Sequence, residues 1–487
     1  MKKGVIYLTS ACGLVAASTV ASAAASAAKS AVPQQRYNVI YIMADDHGTG
    51  AISAYGKSLI PTPNIDRLAK KGMRFNNCFS VVSLSAPSRA SIITGKYNQI
   101  NGLWRNDTMF DGSQQTLPKL MQQAGYQTAI FGKWHLGSEP TGFDAYKVMI
   151  GLGQYFDCPL LEKGNPWNNK AAIIHKGYIT DVLTDESINW LEHRDKSKPF
   201  MLMVHHKAPH GPYEYPDKYR SVLQNVEIPE PSNFWDDLQG RNSNLREDSC
   251  VFTKLLNIAP LHFVEPIPAG LKQGTVEYKK WAYQAVFKGY YRLVTALDEN
   301  IGRLLDYLEK TGLDKNTIII YTSDNGFFMG DHGFFNKMWM YEESLRVPLI
   351  ICHPAMKHGG RVSDLLVSTL DYAPTILNCV GAPVPSDLQG RSLLPLLEGK
   401  KPADWRTEHY YHYVNQYQVP EHYGIRTDRY KLIYFPESKD IKWELYDLKK
   451  DPREMHNVAD DPAYGKIVTD LRKRMYDDRS KFEHLTD

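Results

Sequence analysis

A chain of 487 residues, 43% hydrophobic and 23% charged, has the composition of an ordinary globular protein, with room for a large core and more than one domain. Its formal charge of +3 and its lack of a basic block leave no electrostatic case for nucleic acid as a partner. Six cysteines without a CxxC pair indicate neither a zinc ribbon nor a disulfide framework.

The N-terminal stretch "MKKGVIYLTSACGLVAASTVASAAASAAKS" has a basic start, an apolar run and a small-residue tail. This is the layout of a secretory signal peptide, residues 1–23, with Ala21, Ser22 and Ala23 at the cleavage site, and it predicts export to the periplasm, with release or surface association as variants. The run is too rich in Ala, Ser and Thr for stable membrane insertion. Next, "YNVIYIMADDHG", "YQTAIFGKWHLG", "KPFMLMVHHKAPHGPY" and "NTIIIYTSDNGFFMGDHG" each join a short apolar run to polar residues. They predict buried strands of a parallel sheet, with a further strand in "VPLIICHP". "PNIDRLAKKGMRF" predicts a helix with Ile65, Leu68, Ala69 and Met73 on one face, and "RLVTALDENIGRLLDYLEKTG" another, ending at Gly312. A stretch rich in Pro, Gly and Asn at about 220–280 predicts a loop-rich insertion over an active site. Beyond it, "EHYYHYV", "YGIRTDRYKLIYF" and "KWELYDL" predict short antiparallel strands before a last helix in "AYGKIVTDLRKRMYDDRSKF". The fold class is therefore α/β, with a catalytic domain over 33–384 and a smaller α+β domain over 385–487.

Ligands of open α/β sheets bind beyond the carboxyl ends of the strands. Asp45 and Asp46 follow one predicted strand, Lys133 and His135 another, His206 and His210 a third, Asp324 and Asn325 a fourth. Singly, "ADD" reads as a helix cap and "SDNG" as a turn; together, four strands bring polar groups to one sheet edge. Asp45, Asp46, Asp324 and Asn325 offer hard oxygen donors, which suit Ca²⁺ or Mg²⁺. Arg89, Lys133 and Lys337, with His135 and His210, would surround a sulfate or phosphate ester with positive charge and proton donors. Arg89 lies in "SLSAPSRASIITG", where Ser85 reads as an N-cap and Pro87 as a first-turn residue. A cation in that turn opposes the helix dipole and calls for an anionic partner.

The run "SAPSRASIITG", Ser85 to Gly95, matches without a break the signature of Cys or Ser, any residue, Pro, Ser or Ala, Arg, three residues, Leu or Ile, then Thr-Gly. With "MADDHG", "FGKWHLG", "KAPHGPY", "SDNGFFMGDHG", "KMWMYEESLRVPLI" and "GIRTDRYKLIYF", the chain resembles the type I sulfatases of the alkaline phosphatase superfamily over essentially its whole mature length. The resemblance implies an alkaline phosphatase-like central mixed sheet flanked by helices, and a C-terminal domain with a short antiparallel sheet. It implies one Ca²⁺, or Mg²⁺, held by Asp45, Asp46, Asp324, Asn325 and Ser85. It also implies conversion of Ser85 to formylglycine (3-oxoalanine), which in bacteria is usually the work of a radical S-adenosylmethionine maturase. In the implied mechanism the hydrated aldehyde attacks sulfur while His210 and Lys337 act as proton donor and charge stabiliser. His135 then takes a proton to expel sulfate, and Arg89 and Lys133 hold the diol and the sulfate charge.

In general character the chain is most similar to a branch containing 6-O-sulfatases of glucosamine and N-acetylglucosamine. That implies exo-desulfation of a glycosaminoglycan or mucin glycan, with His206 and His422 as expected sugar contacts. The alternatives are another carbohydrate sulfatase specificity, a phosphatase or phosphonate monoester hydrolase of the same superfamily, and a non-catalytic binder of sulfated glycans carrying unmodified Ser85.

Overall fold

Every residue of the first predicted strand, β1 (Asn38–Asp45), is buried. Ile40, Ile42 and Ala44 join one apolar layer and Val39, Tyr41 and Met43 another, the pattern of a strand covered on both faces. The computed structural model describes Met1 and residues 36–56, 58–248, 250–252 and 264–483, so the expected signal peptide lies, Met1 aside, outside the described residues.

The further strands are β2 (Met73–Phe79), β3 (Gln127–Gly132), β4 (Ala145–Met149), β5 (Phe156–Glu162), β6 (Ile173–Tyr178), β7 (Phe200–Pro209), β8 (Thr317–Ser323), β9 (Phe328–Met329), β10 (Phe335–Asn336), β11 (Arg346–Cys352), β12 (Arg361–Ser363), β13 (Val367–Ser368), β14 (Glu408–Tyr413), β15 (His422–Thr427), β16 (Tyr430–Tyr434) and β17 (Trp443–Asp447). The main helices are α1 (Pro63–Lys71), α2 (Ser85–Thr94), α3 (Ile179–His193), α4 (Val276–Thr311), α5 (Tyr372–Cys379) and α6 (Gly465–Glu483).

Eleven strands form one mixed sheet in the order β12-β2-β11-β8-β1-β7-β3-β4-β5-β6, with β13 on β2. Its middle, β8-β1-β7-β3-β4, is parallel, and antiparallel partners flank it at β11 and β5. The carboxyl ends of β1, β3, β7 and β8 therefore open along one edge. Ile65 of α1, Leu183 of α3 and Leu297 of α4 cover one face, while Ala90 and Ile93 of α2 and Ile376 of α5 cover the other.

Two predicted helices have different limits. Met73 does not continue the α1 face; it opens β2. A Cβ on Gly72 would lie 2.4 Å from the Ile351 carbonyl oxygen, so the chain turns there, tight against β11. Helix α4 runs for 36 residues and starts well before the expected segment, with Thr275 capping the Tyr278 N–H. Gly289 lies inside it, where an added Cβ would meet Tyr213 Cβ at 2.7 Å. The loop-rich insertion thus ends at α4. Its described part braces residues 330–339: Val251 bridges Phe334, Trp339 donates to Asp248 at 2.5 Å, and Arg241 and His332 meet on Asp236.

The small sheet runs β14-β15-β16-β17. The segment "YGIRTDRYKLIYF" folds as its central hairpin, and α6 packs Leu471 and Met475 over Ile425, Leu432 and Leu445. Glu342, which precedes β11, pairs with Arg426 at 3.2 Å and Lys431 at 3.0 Å, and Lys431 also reaches Glu454 at 2.7 Å. No disulfide joins the five described cysteines. No described helix is long and apolar enough to cross a membrane.

Candidate active site

Ser85 is the first residue of α2, not its cap. Leu84 takes the N-cap position with an extended backbone, and no side chain caps the helix. The capping reading of Ser85 is corrected accordingly, because its hydroxyl turns inward. Ser85 Oγ accepts from Lys337 Nζ at 3.2 Å and lies 3.5 Å from Asp45 Oδ1, and the residue is 1% exposed. The neighbouring Ala86 N–H is satisfied by Asn106 Oδ1 at 2.9 Å.

Arg89, one turn along, finds its anionic partners at the sheet edge. Its Nε and Nη2 donate to Asp324 Oδ2 at 3.1 and 3.0 Å, Nη1 donates to the Lys133 carbonyl at 2.8 Å, and Nη2 lies 3.6 Å from Asp45. Lys133 pairs with Asp45 and Lys337 with Asp46. Gly132 has φ 112°, and any Cβ there would lie 1.9 Å from the His205 carbonyl oxygen, so only glycine lets β3 deliver Lys133. Asn325 donates to Asp46 at 2.7 Å, the Asp46 N–H donates to Asp324 at 3.2 Å, and Tyr290 bonds the Asp46 carbonyl at 2.7 Å. His210 Nδ1 donates to the Gly211 carbonyl at 2.6 Å, which leaves Nε2 facing Asp46 at 3.7 Å. His135 leaves β3 through a left-handed residue, φ 58°.

Burial would raise the Asp45 carboxyl, but Lys133, His210, Arg89 and Lys337 around it hold it well below the usual carboxylate range. Asp324 goes the other way, to about 6, through burial and the charge of Asp45. Burial, then Lys133 and Arg89, lower His135 to about 2. Burial lowers His210 well below the ordinary histidine range, with Lys133 and Lys337 opposing the pull of Asp45. Both imidazoles are therefore neutral at pH 7.

The residues fit a hard divalent cation. Carboxylate oxygens of Asp45 and Asp46 lie within 4.8 Å of one another. Asn325 Oδ1 is buried without a hydrogen-bond partner among the described residues, an acceptor that a cation would satisfy. Asp45, Asp46 and Asp324 are balanced by Arg89, Lys133 and Lys337, so an approaching sulfate would meet no net positive charge from these six groups alone. A divalent cation bound there would supply it.

The two expected sugar contacts are both buried. His206 is buried in β7 with Nδ1 unpartnered, and burial alone lowers it, to about 4. Its neighbour His205 faces the site instead, with Nδ1 at 3.2 Å from the Lys133 carbonyl oxygen. His422 is fully buried in an aromatic stack with Trp339, Tyr411 and Tyr413. Lys207 and Asn106 also belong to the surroundings. Lys207 feels the charges of Lys133 and Asp45, and chiefly burial lowers it, to about 8. Beside His135 opens a cavity of about 370 Å³, whose lining includes Asn106, Asp107, Met109, Trp134 and Trp167.

A family model described as Sulfatase matches residues 37–382, and a second, N-sulphoglucosamine sulphohydrolase, C-terminal, matches 330–481. The chain is 44% identical to an N-acetylglucosamine-6-O-sulfatase of Bacteroides thetaiotaomicron, across 95% of this chain and 90% of that one. It is 27% identical to an arylsulfatase of Clostridium perfringens, covering 90% and 93%. Among solved structures, BT4656 in complex with its substrate D-glucosamine-2-N,6-O-disulfate superposes with a TM-score of 0.84 at 43% identity, covering 92% of this chain and 98% of that one.

Proposed function

Because this chain belongs to the sulfatase family and is a sulfuric ester hydrolase acting on glycans, we propose that it removes 6-O-sulfate from terminal N-acetylglucosamine or glucosamine residues in the periplasm. The observation that carries the substrate is the 44% identity to an N-acetylglucosamine-6-O-sulfatase along 95% of the chain. In this reading residues 1–23 are an export signal, and Ser85 is oxidised to formylglycine by a radical S-adenosylmethionine maturase. Residues 33–384 form the catalytic domain and 385–487 a C-terminal subdomain.

Formylglycine at position 85 would supply a stronger nucleophile than a serine hydroxyl, and a Ca²⁺ ion, which Asp45, Asp46, Asp324, Asn325 and residue 85 would hold, would supply the charge that draws in sulfate. Arg89 and Lys133, fixed by carboxylates, hold residue 85 and the sulfate oxygens in register. His210 presents Nε2 inward, and the negative charge of a sulfate ester favours its protonated form, so it hands a proton to the departing sugar oxygen. Lys337, already bonded to Ser85 Oγ at 3.2 Å, stabilises charge on the same side. His135, neutral through burial, takes up a proton from residue 85.

Peptide mass spectrometry of enzyme from its native host, together with hydrolysis assays, tests the reading. We expect the peptide ending at Arg89 to lack two hydrogens at Ser85, and sulfate release from 6-sulfated N-acetylglucosamine but not its 3- or 4-sulfated isomers. Active enzyme with unmodified Ser85, or preference for another sulfate position, overturns it.

A further inference from the structure

The β14–β15 connection ends in a two-residue turn of unusual composition. Gln416 and Val419 exchange backbone hydrogen bonds at 3.3 and 3.0 Å, and the two residues between them, Tyr417 and Gln418, have φ of 55° and 67°. Left-handed backbone at both central positions defines a type I′ turn, whose favoured residues are Asn and Gly. A tyrosine there is a steric outlier, with a cost of about 1 kcal/mol per residue. Strain of this kind persists where the surroundings fix it and concentrates at functional sites.

Those surroundings lead to the nucleophile helix. Tyr417 is 54% exposed, and its hydroxyl accepts from Asn106 Nδ2 at 3.2 Å. The other end of the same amide, Oδ1, holds the Ala86 N–H beside Ser85. Arg105 donates to the Asn415 carbonyl at 2.8 Å, and the Asn106 N–H donates to Gln416 Oε1 at 3.0 Å. One side chain and two hydrogen bonds therefore separate the Tyr417 hydroxyl from the start of α2. Asn106 also lines the cavity beside His135, together with Trp134 and Trp167. Its volume of about 370 Å³ falls within the range of small-molecule sites, about 300–1,000 Å³.

We propose that Tyr417 is a specificity residue for the sugar: the small domain uses the strained turn to place its ring over the mouth of the site, where it packs on the pyranose while Asn106 keeps it in register with Ser85. An amphipathic aromatic suits a pyranose, with the ring against C–H groups and the hydroxyl kept in a polar contact. The turn geometry then has a reason. It leaves much of the Tyr417 ring open to solvent, 54% exposed, while its hydroxyl stays on Asn106.

The inference rests on the proposed function only for the choice of saccharide. The test compares the wild-type enzyme with Tyr417→Phe and with the double variant Tyr417→Asn, Gln418→Gly, which restores the favoured turn residues. We expect the double variant to unfold at a higher urea concentration than wild type. Its kcat/KM for 6-sulfated N-acetylglucosamine should fall at least tenfold, mainly through KM. The inhibition constant of inorganic sulfate, which fills only the charged floor, should stay within twofold. Tyr417→Phe should lose a smaller part of the saccharide rate. Lowered stability with equal losses toward saccharide and sulfate makes Tyr417 a structural residue and overturns the proposal, as does unchanged saccharide kinetics. Wild-type enzyme inactive on every 6-sulfated hexosamine overturns the functional reading instead, and the same ratio is then read on the sulfated saccharide it accepts; acceptance of none overturns both.

Discussion

His210 presents Nε2 to the site because the Gly211 carbonyl engages Nδ1 at 2.6 Å. A group held in that way matters most when the leaving oxygen is a poor one. For His210→Asn we expect kcat on a 6-sulfated sugar to fall about 10²–10⁴-fold. With 4-nitrophenyl sulfate, whose leaving group needs no proton, the loss should stay below about tenfold; parallel assays of the two substrates check the difference. Much of this site is legible in the sequence because each group sits at the end of a strand or directly after it: Asp45, Lys133, His210 and Asp324 need only the rule that ligands gather at carboxyl ends. Side-chain facing is harder to read. His205 and His206 are adjacent on β7 and so point to opposite faces, and nothing in "MVHHKAP" says which one looks toward Arg89. Tyr417 left no trace either, since its turn lacks the Asn-Gly pair that marks a tight hairpin.

At the scale of elements, α4 shows packing overriding propensity. Its expected half has a regular aliphatic period, whereas the earlier half buries Tyr278, Tyr283, Phe287 and Tyr290, a face that reads less clearly as helix. Gly289 is poor for helix propensity, by about 1 kcal/mol against alanine, yet Gly289→Ala should destabilise the protein by about 1–3 kcal/mol, because the new methyl overlaps Tyr213. Urea denaturation measures it. The insertion depends on charge in a similar way. Burial opposes ionisation of Asp236, but His332 and Arg241 lower it from 3.8 to about 2. A depressed carboxyl stabilises the fold above its unfolded value, so the contribution of about 2 kcal/mol is complete above pH 4 and fades as pH falls toward 2. The stability gap between wild type and Asp236→Asn should accordingly be wider at pH 6 than at pH 3.

For the whole molecule, the small sheet and the segment carrying Lys337 are joined through Glu342. Burial opposes its charge, but Arg426, Lys431 and Arg346 hold its carboxyl well below the usual range. Removing one member of a buried ionic cluster strands the rest. Glu342→Ala should therefore cost about 3–5 kcal/mol, seen as an earlier urea midpoint. The sheet order has a further consequence, in time. β1 lies between β7 and β8, with Val39 opposite both Met201 and Ile318, so Asp46 cannot meet Asp324 until the chain has grown past both. At about 5–20 residues per second, the roughly 240 residues from Ser85 to Asp324 take about 10–50 s to synthesise. Until then Ser85 cannot take its place against Lys337; afterwards it is 1% exposed at the head of a helix. Any enzyme that must grip Ser85 races against folding, and a molecule that folds first keeps its plain serine for life.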